Sequence, residues 1–194
     1  MNFLARNARQ IVLVDAALLM GGVLMTSFNL LLVGWSVYAV GHVLAIGAFG
    51  AIAAYFRPQM DGWSWTGLLV LEAGLILALP QIAAIWQAYY QTPTGALMQL
   101  PFQTAPIGHE AEIVLWVGLA FYALAARGAK ALPAGVAWIF VIAALLGLVA
   151  ALADVLFVTA YWWVLAMFML AFGLVATGGN LEAADSAAEP SATT

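Results

Sequence analysis

The sequence predicts an all-α polytopic membrane protein: a six-transmembrane-helix bundle with the N-terminus and the C-terminus both cytoplasmic. Three observations predict it. Hydrophobic residues make up 66% of the 194-residue chain and charged residues only 7%, against roughly half and a quarter in soluble domains. Apolar runs long enough to cross a hydrocarbon core of about 30 Å recur along the chain. All five Lys and Arg residues (Arg6, Arg9, Arg57, Arg127 and Lys130) fall on what six spans would make the cytosolic side.

Residues 11–56 contain a single acid, Asp15, and no Lys or Arg. As one helix this run would be about 69 Å long at a rise of about 1.5 Å per residue, so it must fold back once. Asn29, Gly34, Trp35 and Ser36 interrupt it, which predicts spans at about 11–31 and 36–56. The run is too long for a signal peptide. The segment Arg57-Pro58-Gln59-Met60-Asp61-Gly62 reads as a short polar turn. The third span is expected over 63–90, kinked where Pro80 removes a backbone donor. Residues 91–107 carry no charge and three prolines and read as an interfacial loop, with room for a short helix at 95–100. The fourth span is expected at about 108–126, followed by a polar turn at 127–133. The fifth and sixth follow at 134–156 and 159–177, with Asp154 and Tyr161-Trp162-Trp163 marking the turn between them. Residues 178–194 hold Gly, Ala, Ser and Pro with three acids and are expected to form a disordered acidic tail.

This count places Trp63 and Trp65 at the inner boundary, and Trp35, Trp86, Tyr89, Tyr90, Trp162 and Trp163 at the outer one, as two aromatic belts. Glycines are dense at Gly21-Gly22, Gly47, Gly50, Gly67, Gly74 and Gly118, as expected where helices approach closely in lipid. Val43–Gln81 overlays Ile113–Ala151 without gaps, which makes spans 2–3 and 4–5 two hairpins of one orientation. That is not the inverted repeat of secondary transporters.

Composition excludes a water-soluble enzyme and a nucleic-acid binder. The absence of cysteine excludes disulfides, thiolate metal sites and cysteine nucleophiles. No phosphate loop, HExxH or catalytic-triad pattern occurs, and no catalytic residue is expected. Two polar layers stand out. In the outer one, His109 and Glu112 are spaced i, i+3 on one helix face. With His42 from another span they would make a His₂-carboxylate metal site, or His42 and His109 would ligate haem iron axially. The plainer reading is a set of satisfied polar contacts, with Glu110 as an acid at a helix start. In the inner layer, Asp15 is placed about one turn into span 1 and Glu72 mid-way along span 3. An ionised, unpaired carboxylate at mid-bilayer costs several kcal/mol, about 2.5–3.5 by insertion measurements. Glu72 must therefore be protonated, hydrated or paired, with Ser64, Thr66, Asn29 or a snorkelling Arg57 as the nearby candidates.

Three functions follow as expectations. The first is a non-catalytic accessory subunit of a membrane assembly or a binder of a lipid-like small molecule. The second is a haem- or metal-binding redox protein using His42, His109 and Glu112. The third is a small proton-coupled transporter using Glu72, with Asp15 as a second buried proton site. The expected surroundings are the lipid bilayer of a cell membrane (a prokaryotic inner or plasma membrane), other membrane subunits or further copies of the chain.

Overall fold

The computed structural model describes residues 3–28, 30–91, 108–153, 163–170 and 173. Among these the chain is helical, with no strand. Helix α1 spans Phe3–Ser27 and α2 spans Leu31–Tyr55. A 3-10 turn, Arg57–Gln59, leads to α3 (Gly62–Gln91), then α4 (Gly108–Gly128) and α5 (Ala134–Leu152). Residues 163–170 are again helical. The five α-helices are each long and apolar enough to cross a membrane. Of the loop expected at 91–107, Gln91 is the last residue of α3; residues 92–107, Asp154 and the tail at 178–194 lie outside the described residues.

Two helix boundaries differ instructively from the sequence reading. Helix α1 begins at Phe3, not near residue 11. Its buried residues Ala5, Ala8, Val12, Asp15, Ala16, Leu19 and Val23 recur every three or four positions, so one stripe continues through the segment carrying Arg6 and Arg9. Asp15 therefore lies midway along α1 rather than one turn in. Helix α2 begins at Leu31, so Gly34, Trp35 and Ser36 are helical. Gly34 is a packing residue and not a breaker. A Cβ placed on it would sit 2.6 Å from the Thr26 backbone nitrogen, and one on Gly22 would sit 2.6 Å from that of Tyr38. Ser36 returns its hydroxyl to the Leu32 carbonyl at 2.7 Å, which removes its need for a turn.

The same device joins α3 to α4. A Cβ on Gly67 would meet the Tyr122 backbone at 2.6 Å; one on Gly74 would overlap the Leu115 backbone, and one on Gly118 the Leu71 backbone. Helices α1 and α2, and α3 and α4, form the two most extensive pairings; α4 also packs on α5, and α2 on α3. Where bulk confers no preference for protein over lipid, this backbone approach supplies the association. Helix α3 continues through Pro80.

The core joins all five helices and residues 163–170. Its centre is aromatic. Phe49 lies tilted against Trp163 at 5.7 Å, meets Tyr122 edge-on at 6.0 Å and lies tilted against Phe140 at 6.2 Å; Trp116 meets Trp163 edge-on at 5.7 Å. Gly147 makes room for the Trp116 ring, which a Cβ there would overlap. Trp163 is therefore a core residue and not part of an outer belt. Trp63 is largely exposed beside Phe121.

Helix ends are closed by specific contacts. Asp61 caps α3: its carboxylate accepts the Ser64 backbone N–H at 2.8 Å and the Ser64 hydroxyl at 2.6 Å. These two bonds hold the Asp61 carboxyl below its ordinary value of 3.8. Past α4, the N–H of Lys130 donates to the Arg127 carbonyl at 3.0 Å, and that of Ala131 to Ala126 at 2.7 Å. This is a Schellman closure, with Lys130 in the left-handed region at φ 59° where glycine is usual. The Arg127 guanidinium lies 4.8 Å over the Trp138 ring.

Candidate functional site

The glycine-mediated approach of α1 to α2 and of α3 to α4 draws three ionisable residues into the bundle. Asp15 is 0% exposed, His42 3% and Glu112 7%. His42 reaches from α2 to α3, where its Nε2 lies 3.1 Å from the Leu75 carbonyl oxygen. A carbonyl only accepts, so Nε2 carries the proton and Nδ1 keeps its lone pair. That Nδ1 is buried and has no hydrogen-bond partner.

Glu112 stands at the same level. Leu115, one turn further along α4, packs its backbone against Gly74, the neighbour of Leu75. Tyr38, one turn from His42 on α2, completes the layer. Its ring lies 6.2 Å from the His42 ring, and it sits within electrostatic reach of both Asp15 and Glu112. Tyr38 is absent from the sequence reading. The signal was present, because Tyr38 and His42 are i, i+4 and share a helix face.

Asp15 is the anomaly of the site: both carboxylate oxygens are buried without a hydrogen-bond partner. A buried polar atom left in this state forfeits its hydration without replacement, at a cost of about 1–3 kcal/mol and more for a charged group. Such an atom in a folded protein calls for a specific reason, such as a bound water, an ion or a chemical role.

The expected residues are thus partly brought together. His42 and Tyr38 are ring neighbours on α2, with Glu112 and Asp15 within electrostatic reach of Tyr38; Asp15 lies about one helical turn deeper than His42, since Leu19 faces Gly41. His109 is the second residue of α4, but its side chain lies outside the described residues, so the His42–His109–Glu112 ligand set is incomplete there. Among the described residues no three His, Cys, Asp or Glu side chains cluster closely enough to hold a metal. Haem ligation through the Nε2 of His42 would require giving up the Leu75 bond; Nδ1 is the nitrogen free to bind. Glu72 belongs to a different place. It is partly exposed on the flank of α3, and two hydroxyls expected near it are engaged elsewhere: Ser64 on Asp61, and Thr66 on the Gly62 carbonyl at 2.9 Å.

No protein-family model matches this sequence, no curated protein matches it, and no solved structure matches its fold.

Proposed function

We propose that this chain is a six-span membrane protein whose buried Asp15, His42 and Glu112, with the partly buried Tyr38 beside them, bind and pass a proton or small cation. The carrying observation is the Asp15 carboxylate, wholly buried with no hydrogen-bond partner on either oxygen. Ionisable groups are disfavoured in a bilayer interior, and those present usually mark ion or proton paths. The lone pair on His42 Nδ1 and the Tyr38 hydroxyl add a base and a donor-acceptor to that carboxylate. Asp15, and not the partly exposed Glu72, is the wholly buried carboxylate.

Support for six crossings with both ends cytosolic comes from the cations. Arg6 and Arg9 lie at the start of α1, Arg57 between α2 and α3, and Arg127 and Lys130 between α4 and α5. In an alternating bundle these are one side of the membrane. The helical residues 163–170 fall within the expected sixth span at 159–177, which supports the count. Because the chain has no cysteine, single cysteines report topology without background. Phe28→Cys should react with an impermeant maleimide from outside intact cells and Lys130→Cys should not; the reverse pattern inverts the topology.

The functional test is flux. Purified protein in vesicles should dissipate an imposed pH gradient or take up a cation, and Asp15→Asn should slow this about tenfold or more. Flux equal to that of empty vesicles, or unchanged in Asp15→Asn, removes the reading.

A second reading, an accessory subunit of a membrane assembly, has its own support. Cβ atoms on Gly47 and Gly50 of α2 would meet nothing within 4 Å, and exposed Val40 and Val43 continue that flank. Glycines of the α1–α2 and α3–α4 pairs accept a neighbouring backbone, whereas these two face outward. Co-purification of another membrane chain, lost with Gly47→Leu, would favour it.

A further inference from the structure

Glu72 poses a separate problem from Asp15. It lies near the middle of the membrane-crossing part of α3, which runs from Gly62 to Ala84. The face of α3 that meets α4 carries Gly67, Leu71 and Gly74. Glu72 lies beside that face and is partly exposed. Its helical neighbours at i−3 and i+4, Leu69 and Ile76, are 67% and 53% exposed. A carboxylate thus stands at mid-depth on an apolar, outward flank. Among the described residues it makes no hydrogen bond or ion pair, and the Ser64 and Thr66 hydroxyls are committed elsewhere.

No Lys or Arg of the chain is placed to pair with this carboxylate. The chain's Lys and Arg residues all stand at or beyond helix ends: Arg6 and Arg9 in the first turns of α1, Arg57 before α3, Arg127 in the last turn of α4 and Lys130 after it. A second copy of the chain brings the same cations at the same depths, so it cannot supply a mid-depth charge in a parallel or antiparallel pairing through α3. In hydrocarbon an ionised carboxylate and a cation are each disfavoured alone, and pairing relieves both at once.

We propose that this flank of α3 docks a transmembrane helix of another protein that carries a lysine or arginine at mid-depth, with Glu72 as its ion-pair acceptor and Leu69 and Ile76 as the packing surface around it. The inference names the partner chemistry for the assembly reading and rests on it. It does not depend on Asp15.

The test uses the full chain, donor-labelled and reconstituted in phosphatidylcholine vesicles, with acceptor-labelled poly-leucine transmembrane peptides. One peptide carries a single central lysine; the other is leucine throughout. Energy transfer should report association with the lysine peptide about tenfold or more tighter than with the leucine peptide. Glu72→Leu should bring the two peptides to the same level, while Asp15→Asn should leave the difference intact. The wild-type comparison of two peptides needs no folded variant. Equal association of both peptides with wild type overturns the proposal, as does a lysine preference that survives Glu72→Leu. Equal association of both peptides that disappears with Gly47→Leu would keep the assembly reading and overturn this one. Energy transfer between two copies of the chain that is abolished by Glu72→Leu also overturns it, because the flank would then be a self-contact.

Discussion

The aromatic centre and the polar layer of this bundle are built on opposite terms. Around Phe49, rings from α2, α4, α5 and the helix at 163–170 meet at 5.7–6.2 Å, and Gly147 gives up its side chain so that Trp116 fits. Each such ring pair adds about 0.5–1.5 kcal/mol beyond the area it buries. Around Tyr38, by contrast, Asp15 and the Nδ1 of His42 are equally buried yet lack partners. The aromatic centre also leaves the Tyr122 hydroxyl and the Trp116 and Trp163 ring N–H groups without partners, but those atoms are neutral and ringed by close packing, whereas a buried carboxylate costs more. That difference predicts opposite signs when each region is mutated.

The largest expected effect lies in the packed region. Gly74→Leu places a side chain into the Leu115 backbone, where no flexible group can give way. The expected loss is about 3 kcal/mol or more, read as a failure to recover folded protein or a large fall in melting temperature in detergent. Gly47→Leu, on the open flank of α2, should shift stability by less than about 0.5 kcal/mol. If the two variants melt alike, close backbone approach is not what holds α3 to α4.

The polar layer should answer in the other direction. Asp15→Leu replaces a buried, unpartnered carboxylate by an apolar group of similar size, and should stabilise the protein by about 1–3 kcal/mol while abolishing flux. Thermal denaturation of wild type and variant checks the sign. A destabilisation of similar size would mean that Asp15 does have a partner, and the contrast between the two regions would fail.

Much of this was legible in the sequence, and the part that was not has physical causes. Composition and run length indicated helices that cross a membrane, because each requires only the thickness of hydrocarbon. Buried Asp15, His42 and Glu112 were visible as ionisable residues in apolar runs. Their ranking was not: the depth of Asp15 depends on where α1 starts, and the stripe from Ala5 onward passes unbroken under the cations. Gly34 looked like a breaker because glycine is one in water; in lipid its missing side chain admits a neighbouring backbone. Trp163 read as a belt residue because a tryptophan near a span end usually is one, and only the helix packing shows that Phe49 and Trp116 enclose it. The polar turn at 127–133 was legible, but not that Lys130 takes its left-handed position, which is normally glycine's.

That last residue sharpens the comparison at a helix end. Lys130 adopts φ 59° to close the Schellman motif, a conformation that costs a non-glycine residue about 1 kcal/mol. Lys130→Gly should therefore stabilise the bundle by up to about 1 kcal/mol, seen as a small rise in melting temperature, with the loop still on the same side of the membrane. No rise would indicate that the lysine side chain has contacts that offset its backbone strain, and a fall would place it among the stabilising groups.

The smallest effect belongs to the cap of α3 and is the one that pH should reveal. Asp61 accepts two bonds from Ser64 and its carboxyl is held below 3.8 as a result. A depressed folded-state value means that the stabilisation is fully present above the unfolded value and is lost as pH falls through the folded one. Asp61→Ala should lower the melting temperature at neutral pH by a margin that narrows through the acid range below 3.8. Asp61→Asn keeps a capping side chain without the charge, so its own melting temperature should show less of that acid dependence. A wild-type-to-alanine difference that stays constant into strong acid would mean that the ionised carboxylate contributes nothing beyond the shape of the cap.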